Sequence, residues 1–244
     1  MKLTNDILRD ISIYKNTSYH LRNDVLVNGL HPEAQIIIRD NIKIEMSDIP
    51  FEILKNIYLI QAVRIEKNFV EDEFVKPVID TLMHYLRNDE QNETRPEKGI
   101  MLRGPVGTGK TLLLTAYCNV FNVISRIIEN DQEFKMVPSY MVIDDFFKKG
   151  YEIFDNGIYG DNSWRKNPLL IIDDLGSEAD ISHFGNVADP IGQLILRKYD
   201  AKLKIHCSTN LGSQSLKNKY GERIFSRMKE MFNVITLKGE DRRK

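Results

Sequence analysis

Eight consecutive residues have the types and order needed to hold a chain of phosphates: Gly104, Pro105, Val106, Gly107, Thr108, Gly109, Lys110 and Thr111. They fit the pattern G-x-x-x-x-G-K-[ST]. Glycines let the backbone curl so that successive N–H groups point inward at phosphate oxygens. Lys110 brings a charge to the β and γ phosphates, and the Thr111 hydroxyl is a ligand for Mg²⁺. The four fixed positions would arise by accident in on the order of 1% of chains this long. Chance would not also place the loop after an apolar strand-like run and at the head of an apolar helical one. The segment predicts ATP or ADP with Mg²⁺ as ligand.

Further along, the apolar run Leu169–Ile172 ends in two carboxylates, Asp173 and Asp174. In a parallel sheet both would lie at the carboxyl end of their strand, where a phosphate loop also lies. Asp173 is then the expected Mg²⁺-side carboxylate, and Asp174 is placed to polarise an attacking water. Another run, beginning at Lys204, ends in Thr209 and Asn210. The Asn210 amide has the chemistry to orient a lytic water or sense a γ-phosphate, and equally that of a turn residue; His206 within the run reads as structural. Arg223 and Arg227 are four apart and share a face if helical. A planar guanidinium there would stabilise phosphoryl transfer at a neighbouring subunit's site, or be an ordinary surface arginine.

These residues need elements to carry them. Ile100–Leu102, Met136–Ile143, Leu169–Ile172 and Leu203–Ser208 read as buried strands, with helices at Thr111–Ile124 and Pro190–Tyr199 between them. The alternation predicts an α/β fold, a parallel sheet flanked by helices on both faces. The polar stretch Arg87–Lys98, with Pro96, reads as a linker spanning 87–98, dividing residues 1–86 from 99–244. In the first part Ile53, Ile57 and Ile60 repeat at helical spacing, as do Val78, Leu82 and Leu86 after Pro77. Gln35–Met46 reads as a hairpin turning near Asp40 and Asn41. There is no internal repeat or low-complexity tract.

The chain of 244 residues is 42% hydrophobic, enough for one substantial core and a small accessory domain. Lysine and arginine total 34 against 35 acids, which argues against a globally basic nucleic-acid coat but leaves room for a local groove. The candidate groove is Phe146, Phe147, Lys148, Lys149 and Tyr151, with Phe154, Tyr159 and Trp164 nearby; aromatics there would stack on unpaired bases. Against it, Asp144, Asp145, Glu152 and Asp155 dilute the positive field, and aromatics at helical spacing usually pack a core. Cys118 and Cys207 form no CxxC pair and read as inert buried thiols. No apolar segment at the start or later is long enough for a signal or a membrane span, so a soluble cytoplasmic protein, with no membrane partner, is expected.

Taken in order, KGIMLRGPVGTGKT, PLLIIDDLGSE, the FGN…LILRKYD stretch, STNL, and YGERIFSRM followed by GEDRR resemble the AAA+ ATPases. Within them the likeness is to the bacterial and phage DnaC/DnaI-type helicase loaders and their IstB-like transposition relatives, over roughly residues 99–243. The resemblance implies a P-loop NTPase sheet with no C-terminal helical lid, preceded by a small, mostly helical domain. It implies that Asn210 is the sensor-1 residue, that Arg227 is the arginine finger with Arg223 its nearest competitor, and that Arg242 is a further nucleotide- or interface-facing arginine. It implies three partners. Residues 1–86 grip a replicative helicase, the ATPase domain contacts single-stranded DNA, and copies assemble side by side through their nucleotide sites. Two features depart from the common AAA+ pattern: Asp174 stands where many members carry glutamate, and the chain ends soon after the arginine segment.

The leading function is an ATP-dependent helicase loader. The alternative, an IstB-like helper delivering a transposase to DNA, differs only in the partner. A small-molecule kinase would need an acceptor pocket and usually a lid, and a nucleotide-gated binding protein would scarcely turn ATP over.

Overall fold

Most of the apolar runs read as strands meet in one sheet. The computed structural model describes residues 46–89, 93–127, 132–155, 159, 169–179, 181–183 and 186–243. The hairpin expected at 35–46 and Trp164 fall outside them, except that Met46 opens a short 3₁₀ turn, Met46–Asp48. In chain order the elements are α1 (Phe51–Ile65), α2 (Lys76–Arg87), β1 (Gly99–Arg103), α3 (Lys110–Ile127), β2 (Phe134–Pro138), α4 (Ser139–Lys149), β3 (Leu169–Asp173), β4 (Ile181–His183), β5 (Asn186–Ala188), α5 (Pro190–Asp200), β6 (Ile205–Thr209), α6 (Ser213–Met231) and β7 (Phe232–Thr236). A second 3₁₀ turn, Gly150–Phe154, follows α4. The sheet runs β2-β3-β6-β1-β7, every pair parallel, while β4 and β5 form a separate antiparallel pair.

Alternate residues of the strands feed two cores. Ile100, Leu102 and Ile171 face α1, α2 and α3, whereas Met101, Leu170, Ile172 and Cys207 face α4, α5 and α6. This is the parallel α/β sandwich expected from the sequence, with its central strands β1, β3 and β6 buried on both faces. Chain connections from β1 lead one way across the sheet, to β2, and those from β6 lead the other way, to β7. The reversal opens a crevice at the carboxyl ends of β1 and β6, where such sheets bind ligands.

Helices α1 and α2 lie before the polar stretch 87–98, yet they share the core of the sheet. Ile53, Leu54, Ile57 and Tyr58 of α1 and Val78, Ile79, Leu82 and Met83 of α2 are buried in one cluster with Leu113, Leu114 and Tyr117 of α3. At about 1.5–3 kcal/mol for each large apolar side chain buried, that face is a major part of the stability. The Tyr58 hydroxyl donates to the Leu113 carbonyl at 2.7 Å, tying α1 to α3 inside the core.

One strand reading is corrected. The run Met136–Ile143 is strand only as far as Pro138, and Ser139–Ile143 begin α4. Val142, Ile143 and Phe146 are buried at helical spacing, so apolar content alone could not mark the change. The aromatic segment divides in the same way: Phe146, Phe154 and Tyr159 are core, while Phe147 and Tyr151 are exposed beside Lys148 and Lys149. Both cysteines are free and buried. Burial pushes the Cys118 thiol up to about 11 and that of Cys207 further, so neither supplies thiolate at neutral pH. Among the described residues no helix is long and apolar enough to cross a membrane.

Candidate nucleotide-binding site

The segment Gly104–Gly109 turns from the end of β1 into the first residue of α3, Lys110. Gly107 and Gly109 have φ of 80° and 95°, a left-handed backbone that side chains rarely adopt. A methyl at Gly107 would also overlap the Asp241 carboxylate, because the tail after β7 packs along this loop. The Arg242 N–H donates to the Gly107 carbonyl at 3.0 Å, fixing the tail there.

Lys110 is buried within the loop it closes. Its ammonium donates to the Gly104 carbonyl at 2.9 Å and the Pro105 carbonyl at 2.8 Å. Burial pulls its pKa below the usual lysine range, against the attraction of Asp174 and Asp173. The loop is braced by the Thr108 hydroxyl, which donates to the Pro105 carbonyl at 2.9 Å.

Strand β3 brings the carboxylates to the same end of the sheet. The Thr111 hydroxyl donates to Asp173 Oδ1 at 3.2 Å, joining two residues 62 apart in sequence. Burial raises the Asp173 pKa above the ordinary carboxylate value, and the hydrogen bond from Ser208 opposes that rise. Asp174 leaves the strand with φ 52° and is exposed toward the cleft. The pair Thr111 and Asp173 suits a hard cation that keeps most of its waters or phosphate oxygens, as Mg²⁺ does. Among the described residues no cluster of three or more His, Cys, Asp or Glu would bind a metal without such help.

All of this opens on a cleft of about 920 Å³. Val106–Thr111, Asp174, Ser177, Asn210, Arg242 and Arg243 line its polar part, and Ile65, Phe69, Val70 and Val75 its apolar part. The volume and the split between charged and apolar walls fit a nucleotide. Arg242 also pairs with Asp72 at 2.6 Å, across from the loop.

Arg227 lies elsewhere. Its guanidinium stacks 4.4 Å over the Tyr199 ring, donates to the Tyr199 hydroxyl at 3.0 Å and pairs with Glu230 at 3.4 Å. Arg223 is exposed on the same half of α6. Neither lines the cleft of its own chain. His206 is interior to β6: Ile100 N–H donates to its Nδ1 at 3.0 Å and Phe134, Tyr117 and Tyr85 ring it. Burial, with the nearby Lys204 charge, lowers its pKa to about 3, so it is a neutral structural residue.

No family model matches the sequence. The chain is 23% identical over 273 aligned positions to the replicative helicase loader DnaI of Bacillus subtilis (strain 168), spanning 99% of this chain and 83% of that protein. Its structure is similar to the crystal structure of DnaI, with a TM-score of 0.51 and 20% identity over 84% of this chain and 93% of that one. It is also similar to a Streptococcus pyogenes serotype M3 protein assigned to the primosome, with a TM-score of 0.50 and 20% identity over 72% and 85% of the two chains. This chain has the fold of DnaI.

Within that fold a polar residue beneath the cleft escaped the sequence reading, as did Ser177 and Arg243 in its wall. Ser208 of β6 is fully buried; its hydroxyl donates to Asp173 Oδ1 at 2.5 Å and accepts from the Asp174 N–H at 2.8 Å. It holds the Asp173 carboxylate and the Asp174 backbone at once. A serine inside a strand carries no signal until β6 is known to lie beside β3. The apolar wall from α1 and the turn after it was also missed, because nothing in its residue types distinguishes a cleft-lining side chain from a core one.

Proposed function

We propose that this chain is an ATP-hydrolysing AAA+ protein that controls delivery of a replicative helicase onto single-stranded DNA. The observation that carries the reading is the convergence of Lys110, Thr111, Asp174 and Asn210, from three strand ends, on one cleft, with Asp173 bonded to Thr111 beneath it. Similarity over 99% of this chain and 83% of a protein described as a replicative helicase loader supports it. No feature favours delivery of a transposase.

In this reading the backbone N–H groups of Val106–Thr111 cradle the phosphates. Lys110 exchanges the Gly104 and Pro105 carbonyls for β and γ oxygens. Thr111 and Asp173 would hold Mg²⁺, which when bound would supply neutralisation of the phosphate charge. Ser208 keeps the Asp173 carboxylate turned toward that position. Asp174 accepts a proton from the attacking water, and the Asn210 amide fixes the water against the γ-phosphate. Asp174 has one methylene fewer than glutamate, which sets its carboxylate further back and gives slow turnover. The base ring lies against Ile65, Phe69, Val70 and Val75, and Arg242 closes over the phosphates from the tail.

Arg227, or Arg223 beside it, reaches the γ-phosphate bound by an adjacent copy, so turnover follows assembly. Gripping of the helicase, assigned above to residues 1–86, falls to the segment ahead of α1, because α1 and α2 are committed to the core. Single-stranded DNA meets the exposed Phe147, Lys148, Lys149 and Tyr151. The setting is cytoplasmic. Affinity capture of the tagged chain from its native cell, with ATP and with ADP, tests the whole reading. Nucleotide-dependent recovery of a replicative helicase is expected, and recovery of a transposase in its place would overturn it.

A further inference from the structure

Glu178 is a buried carboxylate that no step above uses. It is 7% exposed, and its oxygens are shared between two distant parts of the chain. Oε2 accepts the Gly176 N–H at 2.9 Å, and Oε1 accepts the Tyr220 hydroxyl at 2.5 Å. The Lys219 ammonium lies 3.7 Å from Oε1 and donates to the Glu178 carbonyl at 2.8 Å. One residue thus fastens the turn after β3 to the end of the first arm of α6.

Both ends of this fastening lead to functional groups. On one side, Asp174 and Ser177 of the turn line the cleft. The turn is fixed to β6 by the Leu175 N–H donating to the Ser208 carbonyl at 2.8 Å and by the Thr209 hydroxyl donating to the Leu175 carbonyl at 2.7 Å. On the other side, α6 breaks immediately after Tyr220, where Gly221 has φ 80° and ψ 166°. A Cβ at Gly221 would meet nothing within 4 Å, so the glycine answers to the backbone angle and not to crowding. Beyond this joint the second arm carries Arg223 and Arg227.

We propose that Glu178 is a positioning residue that, through Tyr220, sets the arginine-bearing arm of α6 according to the state of the nucleotide cleft. Charge-assisted hydrogen bonds are directional, and a buried carboxylate costs desolvation that an apolar contact would not. The geometry it specifies is therefore its use. When the turn at Asp174 and Ser177 shifts against a γ-phosphate, Glu178 carries the shift to Tyr220, and the joint at Gly221 turns it into a reorientation of Arg223 and Arg227 toward the neighbouring copy.

The proposal rests on the reading of an assembling ATPase, and its test separates the two. Tyr220→Phe keeps the ring and removes the bond; Glu178→Gln is its counterpart on the other side. Phosphate release by the full chain is measured against protein concentration with oligo-dT as the single-stranded probe, and affinity is measured with a fluorescent ATP analogue. Tyr220→Phe should lower kcat of the assembled protein about tenfold while KM and analogue affinity stay within about twofold. Mixing with Asp174→Asn subunits, which keep the phosphate contacts of Lys110 and the loop but lack the base for turnover and so present a normally set Arg227, should restore turnover. Unchanged kcat, parallel loss of analogue binding, or no recovery on mixing would each overturn the proposal. Wild-type turnover that does not rise with concentration would remove the assembly reading itself, and the proposal with it.

Discussion

Replacing Ser208 by alanine removes a single hydroxyl and no packing of consequence, yet it should damage the site more than most surface changes. The hydroxyl is fully buried between Asp173 Oδ1, 2.5 Å away, and the Asp174 N–H, 2.8 Å away. A hydrogen bond to a charged group contributes about 1.5–3 kcal/mol, and the stranded N–H adds roughly 1 kcal/mol. If the charged bond holds Asp173 in its metal-binding orientation, its loss corresponds to a fall in kcat of about 10- to 150-fold. KM for ATP should hardly move, because in the proposed function Lys110 and the loop N–H groups make the phosphate contacts. Burial already raises the Asp173 pKa and the Ser208 bond opposes the rise. Without Ser208 the carboxylate protonates more easily, so the acid limb of the pH–rate profile moves to higher pH. Steady-state phosphate release from pH 5 to 9 reads all three quantities. A variant with kcat within about twofold of the parent and an unmoved acid limb would refute the role given to Ser208.

Three further outcomes follow from the same geometry. Arg227→Ala should spare nucleotide binding and lower turnover of the assembled protein by roughly 10³-fold, in a concentration-dependent ATPase assay; the same effect from Arg223→Ala alone would reassign the finger. His206 is neutral in the fold with a pKa lowered to about 3, against an ordinary 6.5, so the unfolded chain binds the extra proton between those values. Stability present above pH 6.5 is lost as pH falls toward 3, by about 2 kcal/mol between pH 7 and pH 5, and urea unfolding should show that slope reduced in His206→Gln. Replacing Lys148 and Lys149 by glutamate should weaken binding of oligo-dT and flatten its salt dependence, while unchanged affinity and slope would remove α4 from DNA contact.

The chemistry was legible where it is contiguous. The loop Gly104–Thr111 and the pair Asp173–Asp174 are local patterns, and a strand ending in carboxylates or in Asn210 can be placed at a sheet edge without knowing the sheet order. Ser208 was not legible, because its meaning depends on β6 lying next to β3. The run Met136–Ile143 misled because its apolar residues serve a strand and then a helix on the same core, and only Pro138 marks the change. The helical spacings in 53–86 were sound. The polar stretch 87–98 suggested a boundary between cores, whereas the α1 and α2 faces close on α3. Strand β7, Phe232–Thr236, was passed over because only one of its residues, Phe232, is buried. Glu178 and Tyr220 stood in motifs already quoted, but their 42-residue separation hid the contact.

The central claim is that the cleft binds ATP with Mg²⁺ and cleaves it to ADP and phosphate. Phosphate release by the purified chain with ATP, Mg²⁺ and oligo-dT, and with no small-molecule acceptor, tests it most directly. The account predicts steady release that rises with protein concentration and disappears in Lys110→Ala. Undiminished release by Lys110→Ala, or ADP formation only when a small-molecule acceptor is supplied, would contradict it.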